Sequence, residues 1–268
     1  MADPTGTYDP RIGPGGLAAE VERLEAQAAL AWAAEERALT GLGLSDGGTV
    51  LEVGCGPGAL LARLAERLPG SRLIGVEPDT ELAARARARV SGAEILAGEA
   101  TALALPDGCV DFALARLVFQ HLPDPVAAAR ELRRVLRPGG RLAVIEVDGQ
   151  LWGLAQPSFP QAAAVQAKAW GSQRERGGDR MIGRRLPGIL RMAGYGGVDL
   201  RLYSYNSEEL GLDAFAPIID PRVSLVRFVE DGTITAAEYG LALEAHRRFR
   251  AAPDAFVLLA GLIASGRA

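Results

Sequence analysis

Three glycines at alternate positions, Gly54, Gly56 and Gly58, mark the stretch of this sequence that could hold a ligand. They lie in T-V-L-E-V-G-C-G-P-G, residues 49–58, between a short apolar run and an amphipathic run that opens at Ala59. This order predicts a buried strand, a tight turn and a helix. Glycine keeps side chains away from the backbone N–H groups of the turn and from the helix N-terminus. We therefore expect a small polar ligand to bind here.

The spacing of the glycines separates the candidate ligands. A nucleoside triphosphate loop needs a lysine and a hydroxyl residue after the last glycine, but Ala59 and Leu60 follow it here. The dinucleotide fingerprint places its last two glycines three residues apart, whereas Gly56 and Gly58 are two apart and Glu52 precedes the first glycine. The pattern E-x-G-x-G-x-G therefore disfavours an NAD-dependent oxidoreductase.

Strand and helix signals alternate around this turn. After the opening strand, the sequence predicts strands over 72–77, 94–97, 110–115 and 141–147 and helices over 59–68, 79–91 and 125–137. Later segments are predicted helices near 159–176, with Ser158 as a candidate N-cap, and near 185–193, and strands near 198–205 and 256–264. The alternation favours an α/β fold with a parallel sheet covered on both faces. Ligands of such sheets bind at the carboxyl ends of the strands, where Glu77, Glu146 and Asp148 fall.

Composition limits the partners and the compartment. The chain has 268 residues, is 49% apolar and carries a formal net charge of −4, which gives no electrostatic case for nucleic acid or an anionic membrane. Two cysteines, Cys55 and Cys109, cannot form a disulfide framework and suit a reducing cytoplasm. The first residues are polar, and the longest apolar stretch, 256–264, is too short to span a bilayer. We expect a cytoplasmic protein with no membrane or nucleic-acid partner.

The glycine stretch resembles motif I of the class I S-adenosylmethionine-dependent methyltransferases, in particular the small-molecule type similar to ubiquinone and menaquinone methyltransferases. The resemblance extends over residues 49–147 and includes G-V-E-P-D at 75–79, A-G-E-A at 97–100, P-D-G-C-V-D-F at 106–112, H-L-P-D-P at 121–125 and L-R-P-G-G-R-L at 136–142. It implies a Rossmann-like, doubly wound sheet of seven strands, mostly parallel with an antiparallel last strand, and helical cap insertions.

The resemblance also implies a division of the chain. The expected parts are an N-terminal arm and cap helix over 1–45, an S-adenosylmethionine-binding core over 46–148, a helical insertion over 149–181, a core helix and strand over 182–206, a second helical cap insertion over 207–252, with a capping box at Thr235 and Glu238, and the last core strand over 253–268. Two insertions and the first helix would then cover one edge of the sheet.

Cofactor contacts follow from the same resemblance, with S-adenosylmethionine as the cofactor and S-adenosylhomocysteine as the product. Backbone at Gly54 and Gly56, with Gly58 completing the turn, would receive the methionine end. Glu77 would accept hydrogen bonds from the ribose diol, and Pro78 would lie against the adenine. The remaining expected contacts are Glu99 and Ala100 with the adenine amine and Arg116 with the methionine carboxylate. Plain turn chemistry for the glycines and solvated carboxylates at Glu77 and Glu99 are the alternatives.

Methyl transfer from a sulfonium is an in-line displacement, so positioning and desolvation can supply much of the rate. No metal is expected, since neither histidine, His121 or His246, has a neighbouring His or Cys partner. His121, Glu146 and Asp148 are candidate general bases. Alternatively, His121 braces the start of a helix, and the two carboxylates do not line the acceptor pocket. Tyr8 and Gln120 are candidate substrate contacts.

The sequence thus predicts a methyltransferase that acts on a small-molecule acceptor. The alternative is an S-adenosylmethionine-binding protein of the same fold with cyclase-like or non-catalytic activity, because motifs that bind the cofactor do not report the chemistry. A homodimer is left open.

Overall fold

Eight strands of the described chain form one sheet. The computed structural model describes residues 6–11, 15–151, 153–158 and 160–268. The strands are β1 Thr49–Val53, β2 Arg72–Glu77, β3 Glu94–Ala97, β4 Val110–Arg116, β5 Leu136–Glu146, β6 Gly153–Gln156, β7 Gly196–Asn206 and β8 Phe256–Arg267. Their order is β3-β2-β1-β4-β5-β8-β6, and β7 also pairs with β8. The first five strands are parallel, and β8 is antiparallel to β5, β6 and β7.

Helices cover both faces of the sheet and one of its ends. The longer ones are α1 Gly16–Gly41, α2 Ala59–Arg67, α3 Thr80–Arg89, α4 Pro125–Val135, α5 Pro160–Glu175 and α6 Ile182–Met192. Four short helices follow, α7 Ser207–Leu210, α8 Ala216–Ile219, α9 Pro221–Ser224 and α10 Val226–Glu230, and then α11 Ala236–Ala251; 3₁₀ turns lie at Phe119–His121 and Leu212–Phe215. None of the helices among the described residues is long and apolar enough to cross a membrane.

Alternation along the strands divides the core into two layers. Leu51 and Val53 of β1 pack in one buried cluster with Leu132 of α4 and with α6. Val50 packs in the other cluster with Leu61 of α2. Because successive strand side chains point to opposite faces, both faces of the parallel part are covered, and only its strand ends are open to a ligand. The predicted Rossmann-like α/β sheet with an antiparallel last strand is confirmed.

One strand was not predicted from the sequence. Strand β6 lies within the segment 149–181, where only a helical insertion was expected, and it raises the count from seven strands to eight. Its residues, G-L-A-Q, are mostly exposed and pair with β8 through Val257 to Leu259. A strand of this kind is held by backbone hydrogen bonds without a buried face, so it leaves little hydrophobic pattern in the sequence.

The cap differs in detail from the predicted insertions. The capping box at Thr235 and Glu238 is confirmed at the start of α11. The segment before it forms several short helices, with Pro217 and Pro221 at the starts of α8 and α9. Helix α5 begins at Pro160, next to Phe159, which lies outside the described residues, so the Ser158 cap stays a prediction. The six-part division of the chain also stays a prediction.

Candidate active site

A cavity of about 1170 Å³ opens at the carboxyl ends of β1, β2 and β4. Helix α1, the arm residues 8–11 and the short helices α8 to α10 form its outer walls. Ten of the predicted site residues line it: Tyr8, Gly54, Gly56, Glu77, Pro78, Glu99, Ala100, Arg116, Gln120 and His121. Gly58, Glu146 and Asp148 are absent from this lining. The fold therefore gathers most of the predicted residues around one space.

The glycine turn has the backbone that the sequence requires. Gly54 and Gly56 have φ of +67° and +54°, in the left-handed region. A Cβ on Gly54 would lie 2.4 Å from Cγ2 of Val118, so a side chain there would collide with the wall of the cavity. Gly58 serves a different purpose from the predicted ligand contact, because its Cβ would lie 3.0 Å from Cα of Ala86. The absence of a side chain at Gly58 allows α2 and α3 to approach.

Glu77, at the end of β2, has a carboxylate whose orientation is fixed by the backbone. Its Oε2 accepts a hydrogen bond from the N–H of Gly56 at 2.9 Å, and its Oε1 accepts one from the N–H of Asp79 at 3.0 Å. Burial raises the pKa of Glu77, and these two donors oppose the rise. A carboxylate has about four acceptor sites, so two remain for hydroxyl donors in the cavity. The residue fits a ribose diol.

The adenosine side of S-adenosylmethionine also fits the neighbouring strand end. Glu99 and Ala100 follow β3 and line the same wall as Glu77 and Pro78. Together they offer carboxylate acceptors beside small apolar surfaces, which is the chemistry that a ribose and an adenine need. Contact of each residue with the cofactor stays a prediction.

Arg116 has a partner that was not predicted from the sequence. Its Nε donates to Oε1 and Oε2 of Glu35, at 3.0 and 2.8 Å, and its Nη2 donates to the carbonyl of Gln27 at 3.3 Å. The hydroxyl of Tyr203 donates to the same Glu35 carboxylate at 2.9 Å. Much of the guanidinium is therefore engaged in tying α1 to β4 and β7. A glutamate on an amphipathic helix gives no sign of such a pairing, and the expected contact of Arg116 with the cofactor stays a prediction.

The N-terminal arm is held across the cavity at two residues, Thr7 and Arg11. The N–H of Thr7 donates to the carbonyl of His121 at 3.1 Å, on the β4 side. Arg11 pairs with Asp79 at 2.6 Å and with Glu81 at 2.9 Å, on the β2 side. The arm thereby bridges the two ends of the site. The hydroxyl of Tyr8, between these anchors, donates to Glu20 at 2.7 Å.

His121 is half-buried, and its hydrogen bonds determine which ring nitrogen carries the proton. Its Nδ1 lies 3.0 Å from Oγ1 of Thr7 and 3.3 Å from Nε2 of Gln173. The Gln173 amide is oriented by its other bonds, because its Oε1 accepts from Arg180 at 2.9 Å and its Nε2 donates to the carbonyl of Gln120 at 3.2 Å. Nδ1 of His121 is then an acceptor, and the ring proton lies on Nε2.

The electrostatic surroundings keep the His121 ring neutral. Burial lowers the pKa of His121 well below its ordinary value, and the nearby Arg180, Arg227 and Arg23 lower it further. The neutral ring accepts hydrogen bonds at Nδ1 and carries its one donor at Nε2. This arrangement favours the bracing role over the general-base role that the sequence left open.

Gln120 carries an acceptor that no described residue satisfies. The residue is 2% exposed, and its Nε2 donates to the carbonyl of Leu117 at 3.2 Å. Its buried Oε1 has no partner among the described residues, although Gln120 lines the cavity. Buried polar atoms are normally paired, so this oxygen suits a donor on a bound molecule.

Neither of the two candidate carboxylates at the end of β5, Glu146 and Asp148, is part of the cavity lining. Glu146 is fully buried; its Oε1 accepts from the N–H of Gln120 at 3.1 Å, and its Oε2 has no partner among the described residues. Both oxygens of Asp148 are held by Arg184 of α6. The expectation that Asp148 lines an acceptor pocket is not met by this geometry. The position of a residue at a strand end does not reveal which later helix supplies it with a cation.

Two buried carboxyls should make the stability depend on pH. Burial raises the pKa of Glu52 and of Glu146 to about 8, from an ordinary 4.5. Each group binds its proton more tightly in the folded than in the unfolded chain, so the contribution of these two groups to the free energy of unfolding should fall as the pH rises from about 4.5 to about 8. We expect a fall on the order of a few kcal/mol, and a smaller one in Glu52→Gln and Glu146→Gln. Urea unfolding near the two ends of this window measures it.

Glu94, exposed at the start of β3, provides the matched control for this comparison. Glu94→Gln should retain the slope of the unsubstituted protein. Equal slopes in all four proteins would show that neither buried carboxyl holds its proton.

Comparisons with known proteins agree with this fold. Residues 51–144 match the family model described as a methyltransferase domain. A protein of a Streptomyces fradiae transposon is 35% identical over 161 residues, 59% of this chain and 46% of the relative. The trans-aconitate 2-methyltransferase of Azoarcus sp. strain BH72 is 42% identical over 101 residues, 38% of this chain and 40% of the relative. The chain therefore spans less than half the length of these two curated relatives.

A solved structure extends the likeness in fold beyond the matched segment. The [4+2]-cyclase SpnF is 21% identical, with a TM-score of 0.52 over 100% of this chain and 86% of the cyclase. At this identity the likeness concerns the fold alone. Residues 51–144 are therefore similar in sequence to a methyltransferase domain, and the chain as a whole shares its fold with the cyclase.

Proposed function

We propose that the chain transfers the methyl group of S-adenosylmethionine to a small-molecule acceptor by in-line displacement. The observation that carries this proposal is the continuity of the cavity. One wall is the glycine turn with Glu77, and the opposite wall is built by α1 and α8 to α10. At about 1170 Å³, it exceeds the roughly 300–1,000 Å³ of a pocket for one small ligand, which supports a cofactor and an acceptor bound together.

In this reaction the protein positions the two reactants and excludes water from them. When bound, S-adenosylmethionine supplies an electrophilic methyl group on sulfur. The turn at Gly54 and Gly56 and the carboxylate of Glu77 hold the cofactor side, while the cap residues exclude water from the acceptor side. His121, with its proton on Nε2, and the free Oε1 of Gln120 orient polar groups of the acceptor.

A small acceptor is also supported by one of the relatives. The Azoarcus relative is named for trans-aconitate, a small molecule. The formal net charge of −4 gives no support for a nucleic-acid acceptor. The cytoplasmic location and the question of a homodimer stay predictions.

Binding and turnover measurements test the proposal in sequence. Calorimetry should detect S-adenosylmethionine and S-adenosylhomocysteine but not NAD. Incubation with methyl-labelled S-adenosylmethionine and a panel of small metabolites should then transfer label to at least one of them. NAD binding in place of S-adenosylmethionine would contradict the cofactor assignment. Tight cofactor binding without label transfer to any metabolite would favour the cyclase-like or non-catalytic alternative.

A further inference from the structure

We propose that the acceptor carries an anionic group, a carboxylate or a phosphate, which the guanidinium groups of Arg180 and Arg227 bind inside the cavity. This inference rests on the proposed methyl transfer, since it concerns the acceptor end of the same cavity. The two residues are 47 positions apart in the chain, between α5 and α6 and on α10, and both line the cavity.

Neither guanidinium has a carboxylate partner among the described residues. The ion pairs of the described chain include other arginines of the cavity but neither Arg180 nor Arg227. Nε of Arg180 donates to Oε1 of Gln173 at 2.9 Å. The guanidinium carbon of Arg227 lies 4.6 Å from the centre of the Phe228 ring. Both side chains therefore retain donors that can face a ligand.

The other arginines around the cavity are neutralised. Arg23 pairs with Glu20 at 2.6 Å, and Arg222 pairs with Asp220 at 2.5 Å. Arg11 pairs with Asp79 and Glu81, as described for the arm. Among these cavity arginines, Arg180 and Arg227 therefore remain available to bind an anionic group of a ligand.

The acids nearest the two guanidiniums do not cancel their charge. Arg180 interacts electrostatically with Glu146 but forms no ion pair with it, and burial raises the pKa of Glu146 to about 8, so Glu146 is mostly protonated at neutral pH. Glu20 faces Arg227 but is already bound by Arg23 and Tyr8. Burial and the neighbouring Arg227 lower the pKa of Arg180 to about 10, which still leaves it charged. The acceptor end of the cavity thus carries about two uncompensated positive charges.

Two like charges in a partly dry space are unfavourable without a counter-charge. A carboxylate or phosphate supplies it with charge-assisted and bidentate hydrogen bonds, for which guanidinium is well suited. The sheet order places this anion away from the adenosine side. Glu77 and Glu99 lie at β2 and β3, whereas Arg180 bonds to Gln173, which contacts Gln120 and His121 just after β4.

Anion binding to the protein saturated with S-adenosylhomocysteine tests the inference. Inorganic phosphate and malonate are the two probes, titrated separately by calorimetry to millimolar concentrations so that phosphate and carboxylate recognition are distinguished. We expect at least one to bind. Arg180→Gln and Arg227→Gln should each weaken that binding by about ten-fold or more, while Arg180→Lys and Arg227→Lys should recover part of it.

Arg222→Gln is the matched control, because Arg222 also lines the cavity but is exposed and paired with Asp220. It should bind the anion like the unsubstituted protein, and all variants should keep their affinity for S-adenosylhomocysteine. Failure of both anions to bind, or undiminished binding in the double variant Arg180→Gln/Arg227→Gln, would overturn the inference and leave the methyl-transfer proposal standing. Loss of S-adenosylhomocysteine affinity in these variants would instead assign the arginines to the cofactor carboxylate and overturn the inference. If the unsubstituted protein did not bind S-adenosylhomocysteine, that result would contradict the proposed function itself.

Discussion

Replacing Glu35 by alanine should lower the free energy of unfolding by about 3–5 kcal/mol, the range for removing one partner of a buried ion pair. Glu35 is 0% exposed and binds both Arg116 and Tyr203. The substitution would leave the Arg116 charge buried beside the cavity and the Tyr203 hydroxyl without its acceptor. Urea unfolding, monitored by circular dichroism, measures the change.

The neighbouring residue gives the control. Glu36 pairs with Arg67 at 2.7 Å on the exposed side of α1, and Glu36→Ala should cost less than about 1 kcal/mol. Removing both buried charges in Glu35→Leu/Arg116→Met should recover part of the loss, because no unpaired charge remains. A Glu35→Ala protein as stable as Glu36→Ala would contradict the role of this pair.

Replacing Glu77 by alanine should weaken S-adenosylmethionine binding by roughly 1.5–3 kcal/mol, the range for hydrogen bonds to a charged group. The variant loses the acceptor expected for the ribose diol and also the oxygen that holds the N–H of Gly56 in the turn. The dissociation constant should therefore rise by about 10- to 150-fold. Calorimetric titration with S-adenosylmethionine provides the measurement.

Glu94, exposed at the start of the neighbouring strand β3 and paired with Arg72, is the matched glutamate for this experiment. Glu94→Ala should bind the cofactor normally. Glu77→Gln should be intermediate, because one oxygen is kept while an NH₂ group now faces a backbone N–H. Unchanged affinity in Glu77→Ala would remove the ribose assignment, provided that its unfolding curve shows a folded protein.

Local patterns in the sequence predicted the parts of the structure that are set locally. The glycine turn needs left-handed backbone at Gly54 and Gly56, and only glycine adopts it without strain. Strands β1 to β4 and their helices are set by apolar periodicity. The placement of Glu77 at a strand end follows from the same pattern, which is why the cofactor side of the site was recognisable.

The acceptor side depends on contacts between distant segments. Glu35 meets Arg116 across 81 positions, and Gln173 meets His121 across 52. Such pairs arise from the packing of whole elements, and a single sequence carries no sign of them. The same holds for Asp148, whose partner Arg184 lies on a later helix. In the sequence, Arg180 and Arg227 cannot be distinguished from ordinary surface arginines, because only the folded cap brings them to the cavity.

The N-terminal arm is attached to the core at two points, through Thr7 to His121 and through Arg11 to Asp79, and this attachment has a kinetic consequence. A molecule leaving the cavity past this arm must wait until at least one of the two fastenings opens. The fastenings differ in kind: the one at Asp79 is an exposed ion pair that dissolved salt screens, and the one at His121 includes a backbone hydrogen bond that salt hardly affects. We therefore expect the ionic strength to change the residence time of S-adenosylhomocysteine in the cavity. The geometry of the bound molecule at equilibrium should stay the same.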